Sequence, residues 1–199
     1  MCSFILHDYL IRLVNLINNS GSSTALSQFN RLNAHKTMIN FAFGNLDPQA
    51  AKAGYPAGAR HQPHGTRPDG TKGALTFENG QFQGDVDIVK DANGNEVYAE
   101  ATITIFEGEY KKGRTSQQDV DDAMVAGFGH EAEHDLDLKQ VQETKNKTYR
   151  DSVYHARTPD GKDWAVGSPY WVTNQITKEI QEFRRIQQRP KCPPGHMCF

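Results

Sequence analysis

The sequence predicts an α+β fold in which a small twisted sheet, antiparallel or mixed, packs on one long helix and on a C-terminal helix. Patterns typical of strands are concentrated between residues 74 and 106. Two long helical patterns follow them, at about 116–146 and about 173–188. Because the strands precede these helices and do not alternate with them, the order is that of an α+β protein and not of a parallel α/β sheet.

The first 43 residues are expected to form a helical segment before the sheet begins. Apolar side chains recur through residues 1–17, but a histidine, an aspartate and an arginine interrupt them, which is typical of an amphipathic helix. A secretory signal needs an uninterrupted apolar stretch after a positive start, so we expect no signal peptide. A turn-forming run at 18–23 ends the first helix, and a second helix is expected at about 24–43.

Residues 44–73 are rich in glycine, proline and alanine and have no periodicity, which predicts a linker or a surface lead-in. Two histidines in this stretch, His61 and His64, have no helix on which their spacing could be used, and we expect them at the surface. The sequence therefore predicts one folded domain at 74–189, followed by a tail at 190–199.

The sheet is expected to form from three segments, at 74–77, 85–89 and 97–106. An Asp-Ala-Asn-Gly-Asn run at 91–95 has the composition of a tight turn and pairs the last two segments as a hairpin. Apolar and polar side chains alternate between residues 97 and 106, so this strand should have one buried face.

Cysteines occur only at the two ends of the chain, as Cys2, Cys192 and Cys198. A core held by disulfides would need cysteines within the body of the chain, so this class of protein is excluded. We expect the tail at 190–199 to be disordered. A local disulfide, or a metal clip that includes His196, remains as an alternative.

Composition also limits the partners of the chain. It carries 22 Lys and Arg against 24 Asp and Glu, a formal net charge of −2, and so lacks the broad basic surface of a nucleic-acid-binding protein. It contains no run of about 18 apolar residues, so the sequence predicts no membrane span. We expect neither nucleic acid nor a bilayer-spanning segment.

Residues 130–134 read His-Glu-Ala-Glu-His, an HExxH sequence on the predicted long helix. Residues at i and i+4 of a helix share one face, so His130 and His134 can reach a single ion with Glu131 beside them. By helical phase all three lie in the apolar stripe that Val120 and Met124 begin. Titratable groups on a buried face need partners, and a metal ion would supply one.

A solvated, charged helix face is the alternative to a metal site. Two glycines upstream, Gly127 and Gly129, favour the metal site, because each weakens a helix by about 1 kcal/mol and so asks for a compensating reason. Close approach of a strand or a substrate to the helix would be such a reason.

Residues 125–137, Val-Ala-Gly-Phe-Gly-His-Glu-Ala-Glu-His-Asp-Leu-Asp, resemble the active-site helix of zincin metallopeptidases. In particular they resemble the small HExxH domains that occur as toxin or effector modules of bacterial secreted proteins. At the level of layout the resemblance extends over 74–188. It implies Zn²⁺ bound by the two motif histidines, Glu131 as general base, and hydrolysis of peptide bonds of a protein substrate. It also implies that an edge strand, assigned to 97–106, holds the substrate extended.

The toxin resemblance further implies delivery into a target cell by a carrier or secretion machine, and a cognate inhibitor or immunity protein in the producer. Localisation is otherwise unknown from the sequence. The alternative function is a catalytically inactive zincin-like module that binds metal and a partner protein. A metal-independent interaction protein is a further alternative.

The third metal ligand is assigned by comparison with zincin subgroups. Metzincins continue HExxHxxGxxH, but Asp137 stands at the glycine position here and Gln140 at the last histidine position, which excludes that subgroup. Gluzincins take a glutamate from a later helix, and Glu179 lies in the apolar stripe of the C-terminal helix whereas Glu182 lies outside it. A buried carboxylate needs a partner, so Glu179 is the expected ligand, with Asp137, His155 and Glu182 as alternatives.

Three further residues have expected roles. Asp137 should accept a hydrogen bond from His134, which would orient that ligand; a solvated carboxylate is the alternative. His155 and Tyr154 resemble the downstream His or Tyr with which zincins often stabilise the transition state. Ordinary surface or packing positions are the alternative for both.

Overall fold

The computed structural model describes residues 3–155 and 157–188. The predicted tail at 190–199 and Cys2 lie outside the described residues. Within them the helices α1 to α8 are Ser3–Ser20, Ser23–Ala34, Ala50–Ala53, Glu107–Lys111, Gln117–Leu136, Leu138–Lys145, Asp151–Tyr154 and Pro169–Gln187. The strands β1 to β9 are Met38–Gly44, Ala59–Thr66, Lys72–Ala74, Thr76–Glu78, Gln81–Gln83, Asp85–Val86, Ile88–Lys90, Glu96–Tyr98 and Glu100–Phe106.

The fold is α+β with a small mixed sheet, as the order of the sequence patterns predicts. The sheet has five strands in the order β1-β9-β2-β3, and β6 also pairs with β2. Strand β1 is parallel to β9, and β2 is antiparallel to β9. The predicted hairpin around residues 91–95 is confirmed, since β7 and β8 pair with Ile88 opposite Tyr98. In the described part of the chain no helix is both long and apolar enough to cross a membrane.

The strand predicted at 97–106 lies inside the sheet and not at its edge. It is interrupted at Ala99, and its longer part, β9, pairs with β1 on one side and with β2 on the other. Its alternation is as predicted, because Ala101, Ile103 and Ile105 are buried. A strand bonded along both sides has no free edge, so β9 is corrected from a substrate-binding edge strand to a central strand.

The predicted linker at 44–73 contains β2, a strand next to the centre of the sheet. Its first five residues, 59–63, are buried although three of them are polar. Periodicity misses this strand because its polar side chains are buried with partners: Arg60 pairs with Asp47, and His61 contacts Asp135. The expectation that His61 lies at the surface is therefore wrong.

The predicted N-terminal segment shares one hydrophobic core with the rest of the chain. Leu13 and Ile17 of α1 and Leu32 of α2 pack in the same cluster as Ile103 and Phe128. The second predicted helix ends at Ala34, and the alternating sequence Met-Ile-Asn-Phe-Ala-Phe-Gly then forms β1. The boundaries predicted at residues 43 and 73 do not separate independent cores.

The long helix predicted at 116–146 is two helices. The Ser116 side chain caps the first, α5, by accepting the Asp119 N–H at 3.0 Å, as the sequence predicts. Helix α5 ends at Leu136, and Asp137 then caps α6 by accepting the N–H groups of the first turn. A side chain that can cap a new helix makes this break possible, and Asp137 itself has extended backbone between the two helices.

Candidate metal centre

Three histidines converge at the wall of one cleft. Helix α5 supplies His130 and His134 one turn apart, with ring centroids 5.1 Å from each other. His155 comes from the end of α7, and its Nε2 lies 3.0 Å from Nε2 of His130. One nitrogen from each ring lies within 4.8 Å of the others, which is close enough for the three to bind one metal ion.

Each ring is oriented by a hydrogen bond at its other nitrogen, Nδ1. The pairs are His130 with Thr173 Oγ1 at 3.1 Å, His134 with Gln140 Oε1 at 2.8 Å, and His155 with Asp151 Oδ2 at 3.1 Å. Partners of this kind fix the tautomer and direction of metal-binding histidines, and they leave Nε2 free to face the cluster centre. The donor set therefore fits a metal ion that prefers imidazole.

The protonation of the histidines also suits a metal ion. Burial, together with the neighbouring rings, lowers the pKa of His130 well below its ordinary value. Burial likewise lowers the pKa of His134, with a contribution from His155. Both imidazoles are thus neutral near neutral pH, and only a neutral imidazole has a lone pair for a metal.

Glu131 lies on the same face of α5 and lines the same cleft as the histidines. Its Oε2 accepts the backbone N–H of His61 at 2.7 Å. Burial raises the pKa of Glu131 to about 6, in spite of that bond. A carboxylate that titrates near neutral pH can accept a proton and give it back, which is what a general base needs.

The cleft around these residues has a volume of about 1140 Å³. It follows one face of α5 from Asp119 to His134, with lining residues spaced three or four apart. At 1.5 Å per residue this is a length of about 22 Å. The N-terminal half of β2 and one face of α8 form other parts of its wall.

The first part of β2 lines this cleft. The Phe106 N–H donates to Gly58 O at 2.7 Å, which fixes where the bonds to β9 fall. Since these bonds alternate along an antiparallel pair, the backbone groups of Ala59 and His61 point away from β9. Among the described strands, β3 and β6 pair with residues 64–66 of β2, so the backbone groups of Ala59 and His61 on this side have no strand partner there, and the His61 N–H bonds to Glu131 instead.

The structure does not bring Glu179, the expected third ligand, to the histidines. Its Oε2 accepts the Ser22 hydroxyl at 2.7 Å and the Thr24 N–H at 2.9 Å, and its Oε1 accepts the Thr24 hydroxyl at 2.7 Å. The carboxylate thus caps the start of α2, where the helix dipole favours a negative charge. The third member of the cluster is corrected to His155, one of the alternatives. Glu182, another alternative, pairs with Arg185.

Asp137 and Tyr154 do not take the positions expected for them. Asp137 caps α6, and Gln140 instead makes the hydrogen bond that orients His134. The Tyr154 hydroxyl donates to Glu143 Oε2 at 2.8 Å, so it is committed outside the cluster. Asp137 is also excluded as a ligand by its place outside the cluster of ligand atoms.

Close packing of neighbouring side chains explains why glycine occurs at positions 127 and 129 of α5. A Cβ at Gly127 would overlap the hydroxyl of Tyr110, and a Cβ at Gly129 would overlap Cδ1 of Ile176. Close approach is thus the reason for both, and the atoms that a Cβ would overlap belong to side chains of α4 and α8. Gly129 lets α8 pack directly on the motif helix.

Sequence reasoning missed Tyr170, whose ring lies against both His130 and His155, with centroids 4.8 and 4.9 Å away. Trp164 stacks on its other side at 4.3 Å. A signal was present, because Ser168 and Pro169 mark a helix start and place Tyr170 one turn before Thr173 on α8. No such local signal identifies His61.

Comparisons of this chain with protein-family models, with curated proteins and with solved structures give no match. Its function is therefore inferred from the chemistry of the site alone. Three imidazoles whose ring nitrogens lie close enough to share one metal ion, and a carboxylate whose pKa is raised to about 6, all line one long cleft, so they can hold a metal ion and move a proton beside it.

Proposed function

We propose that the chain is a zinc-dependent endopeptidase in which His130, His134 and His155 hold Zn²⁺ and Glu131 is the general base. The observation that carries this proposal is that all four residues line one cleft, with each histidine oriented through Nδ1. Three protein ligands and one open position are typical of catalytic zinc, whereas structural zinc has four protein ligands. When bound, the ion supplies Lewis-acid chemistry: it polarises a carbonyl group and lowers the pKa of water to about 7.

Glu131 would move the proton. Within the described residues its carboxylate has one hydrogen bond, from the His61 N–H to Oε2, so Oε1 is left for the reaction. Oε1 takes a proton from the attacking water and then passes it to the leaving amine. The bond at Oε2 prevents the carboxylate from rotating away while this happens.

Tyr170 would replace Tyr154 and His155 as the donor to the substrate carbonyl oxygen. Its ring lies against two of the histidines, and in the described part of the chain its hydroxyl has no hydrogen-bond partner. A hydroxyl donor at this place can stabilise negative charge that develops on the carbonyl oxygen. His155 is used instead as a ligand.

The shape of the cleft supports an extended polypeptide as substrate. A length of about 22 Å accommodates roughly six or seven residues of extended chain at about 3.3 Å each. The carbonyl group of His61 and both backbone groups of Ala59 have no strand partner among the described residues, and a peptide would add there as a strand. This favours cleavage within a chain over removal of a terminal residue. Delivery as a toxin and a cognate inhibitor remain proposals that rest on the motif resemblance alone.

The test compares wild-type protein with Glu131→Gln, His134→Ala and the control Glu133→Gln, all purified without a metal-affinity tag. Glu133 is in the same motif but outside the cleft, and its carboxylate accepts from Gln28. Zinc content is measured by mass spectrometry, and cleavage by digestion of a denatured protein mixture.

We expect wild type and Glu133→Gln to bind zinc and cleave, and a chelator to stop cleavage until zinc is restored. Glu131→Gln should keep its zinc and lose cleavage by about 10²–10⁴-fold, the usual contribution of a general base. His134→Ala should lose its zinc. Cleavage by Glu131→Gln would contradict the assignment of the base. Zinc binding by wild type without any cleavage would favour the inactive binding module.

A further inference from the structure

A buried polar pair lies at the wall of the cleft, next to the proposed base. Asp135 has no exposed surface, and only 4% of His61 is exposed. The His61 Nε2 lies 3.1 Å from Asp135 Oδ1, which is a hydrogen bond. Neither residue belongs to the three-histidine cluster, and the proposed reaction gives neither of them a chemical step.

His61 contacts α5 at two places one turn apart. Its backbone N–H donates to Glu131 Oε2 at 2.7 Å, and its side chain reaches Asp135, four residues further along the same helix. The main chain of β2 is therefore held at a set distance and rotation relative to α5 at this point. The donor that faces Glu131 is fixed by the side chain of the same residue.

A second histidine, His35, lies near the other carboxylate oxygen of Asp135, Oδ2. The His35 Nδ1 lies 3.5 Å from Asp135 Oδ2, and the Thr37 hydroxyl lies 2.9 Å from the same nitrogen. Asp135 is thus placed between two histidines, one from β2 and one from the segment between α2 and β1. Oδ2 has no hydrogen bond in the described part of the chain, so the hydrogen bond of the carboxylate is the one at Oδ1 to His61.

Stability alone does not account for this pair. Taking a carboxylate and an imidazole out of water costs several kcal/mol, and well-packed apolar residues of similar volume are often as stable or more stable. The Nδ1 of His61 is buried with no hydrogen-bond partner in the described part of the chain, which adds to the cost. A pair of apolar side chains would not define the position of the His61 N–H so closely.

We propose that His61 and Asp135 are positioning residues that hold the base Glu131 in its working direction, an inference that rests on the proposed function. The pair acts through the main chain: Asp135 holds the His61 ring, the ring holds this point of β2, and the His61 N–H holds Oε2. Oε1 then stays on the side of the cleft. The chemistry itself remains with Glu131.

The test uses His61→Ala, His61→Gln and the control His64→Ala in the zinc-loaded protein. His64 lies on the same strand but on the opposite face, where its Nε2 contacts Thr102. Glutamine at position 61 can again donate to Asp135 from its side-chain amide, whereas alanine cannot. Measured are kcat and KM on one peptide substrate, and zinc affinity by competition with a chelator.

His61→Ala should lower kcat by about 10- to 100-fold, the effect of a small misplacement of a reacting group, with KM and zinc affinity within about threefold of wild type. His61→Gln should recover most of kcat, and His64→Ala should match wild type. A kcat of His61→Ala equal to that of His64→Ala would overturn the proposal. So would a parallel loss of zinc affinity, because the pair would then support the metal ligands.

A second variant and a second readout cover the case in which His61→Ala does not fold. Asp135→Asn keeps the volume of the side chain but loses the charge that strengthens its hydrogen bond, so kcat should fall by about three- to tenfold. Amide exchange at residue 61 should become faster in the same variant without any substrate. Unchanged kcat and unchanged exchange would overturn the proposal. Faster exchange in a protein whose wild type cleaves nothing would support the positioning pair and reject the proposed peptidase activity.

Discussion

Replacing His155 with alanine tests the corrected third ligand directly. The change removes one of three nitrogen donors, whose Nε2 lies 3.0 Å from that of His130. Four-ligand zinc sites have binding free energies of about 10–16 kcal/mol, so one ligand contributes roughly 3–4 kcal/mol. We therefore expect zinc to bind about 10²- to 10³-fold more weakly. The orienting partner has a smaller effect, and Asp151→Asn should weaken zinc binding about 10- to 100-fold.

The assay is a competition for zinc between the protein and a chromophoric chelator at neutral pH. Glu179→Gln is the control, because the sequence favours Glu179 as ligand and the structure uses it to cap α2. This variant should keep the zinc affinity of wild type. It should lose about 1–3 kcal/mol of unfolding free energy in urea, since charged hydrogen bonds at a helix N-terminus are weakened.

The result that would refute the geometric assignment is the reverse pattern. If Glu179→Gln lost zinc and His155→Ala kept it, the glutamate would be a ligand after all. In that case α2 would have to give up its cap when the metal binds. If both variants kept the zinc affinity of wild type, neither residue would be a ligand.

Three further predictions concern the fold. Gly129→Ala should lower the free energy of unfolding by about 1–3 kcal/mol, in spite of its better helix propensity, because the new Cβ overlaps Cδ1 of Ile176. Adding Ile176→Val removes that atom and should recover most of the loss in a double-mutant cycle measured by urea unfolding. A Gly129→Ala variant more stable than wild type would contradict this. Asp47→Ala leaves Arg60 buried without its partner and should lower the free energy of unfolding, measured by thermal unfolding, by about 3–5 kcal/mol. A loss below about 1 kcal/mol would mean that water takes the place of the carboxylate beside Arg60. Burial raises the pKa of Glu179, but the hydrogen bonds from the start of α2 outweigh it and hold that pKa below its ordinary value. The stability lost in Glu179→Gln should therefore be largest at neutral pH and should shrink as the pH falls through the carboxyl range. A loss of stability that does not depend on pH would contradict this.

The motif helix could be predicted from the sequence because its information is local. The spacing of His130 and His134 places them on one face of any helix, and the Ser116 cap marks where this helix begins. The same holds for the hairpin turn at 91–95. Each of these depends on residues within a few positions of one another.

Helical phase predicted that Glu179 has a partner, but not which partner. The predicted partner exists, since the carboxylate of Glu179 accepts hydrogen bonds from several donors. Those donors come from the start of α2, far away in the sequence, and an exposed helix N-terminus satisfies a carboxylate as well as a metal does. Burial of a charge therefore implies compensation and leaves its kind open.

Strand β2 was missed for a related reason. Hydrophobic alternation identifies a strand when its buried face is apolar, but His61 is buried beside Asp135 and Arg60 beside Asp47. Asp47 lies in a loop 13 residues before Arg60, and Asp135 lies on α5, 74 residues after His61, so neither pair follows from the alternation along the strand itself. The polar composition that predicted a linker is the composition of a buried polar layer.

By itself the sequence determined the α+β class, the HExxH helix and the pair of histidines with a glutamate on one face. Only the tertiary structure decided that His155 joins them, that Glu179 caps α2, and that β2 supplies the partner of Glu131. The physical reason is the range of the interactions. Helix geometry fixes the relative positions of residues one turn apart, whereas the packing of distant elements decides which side chains meet.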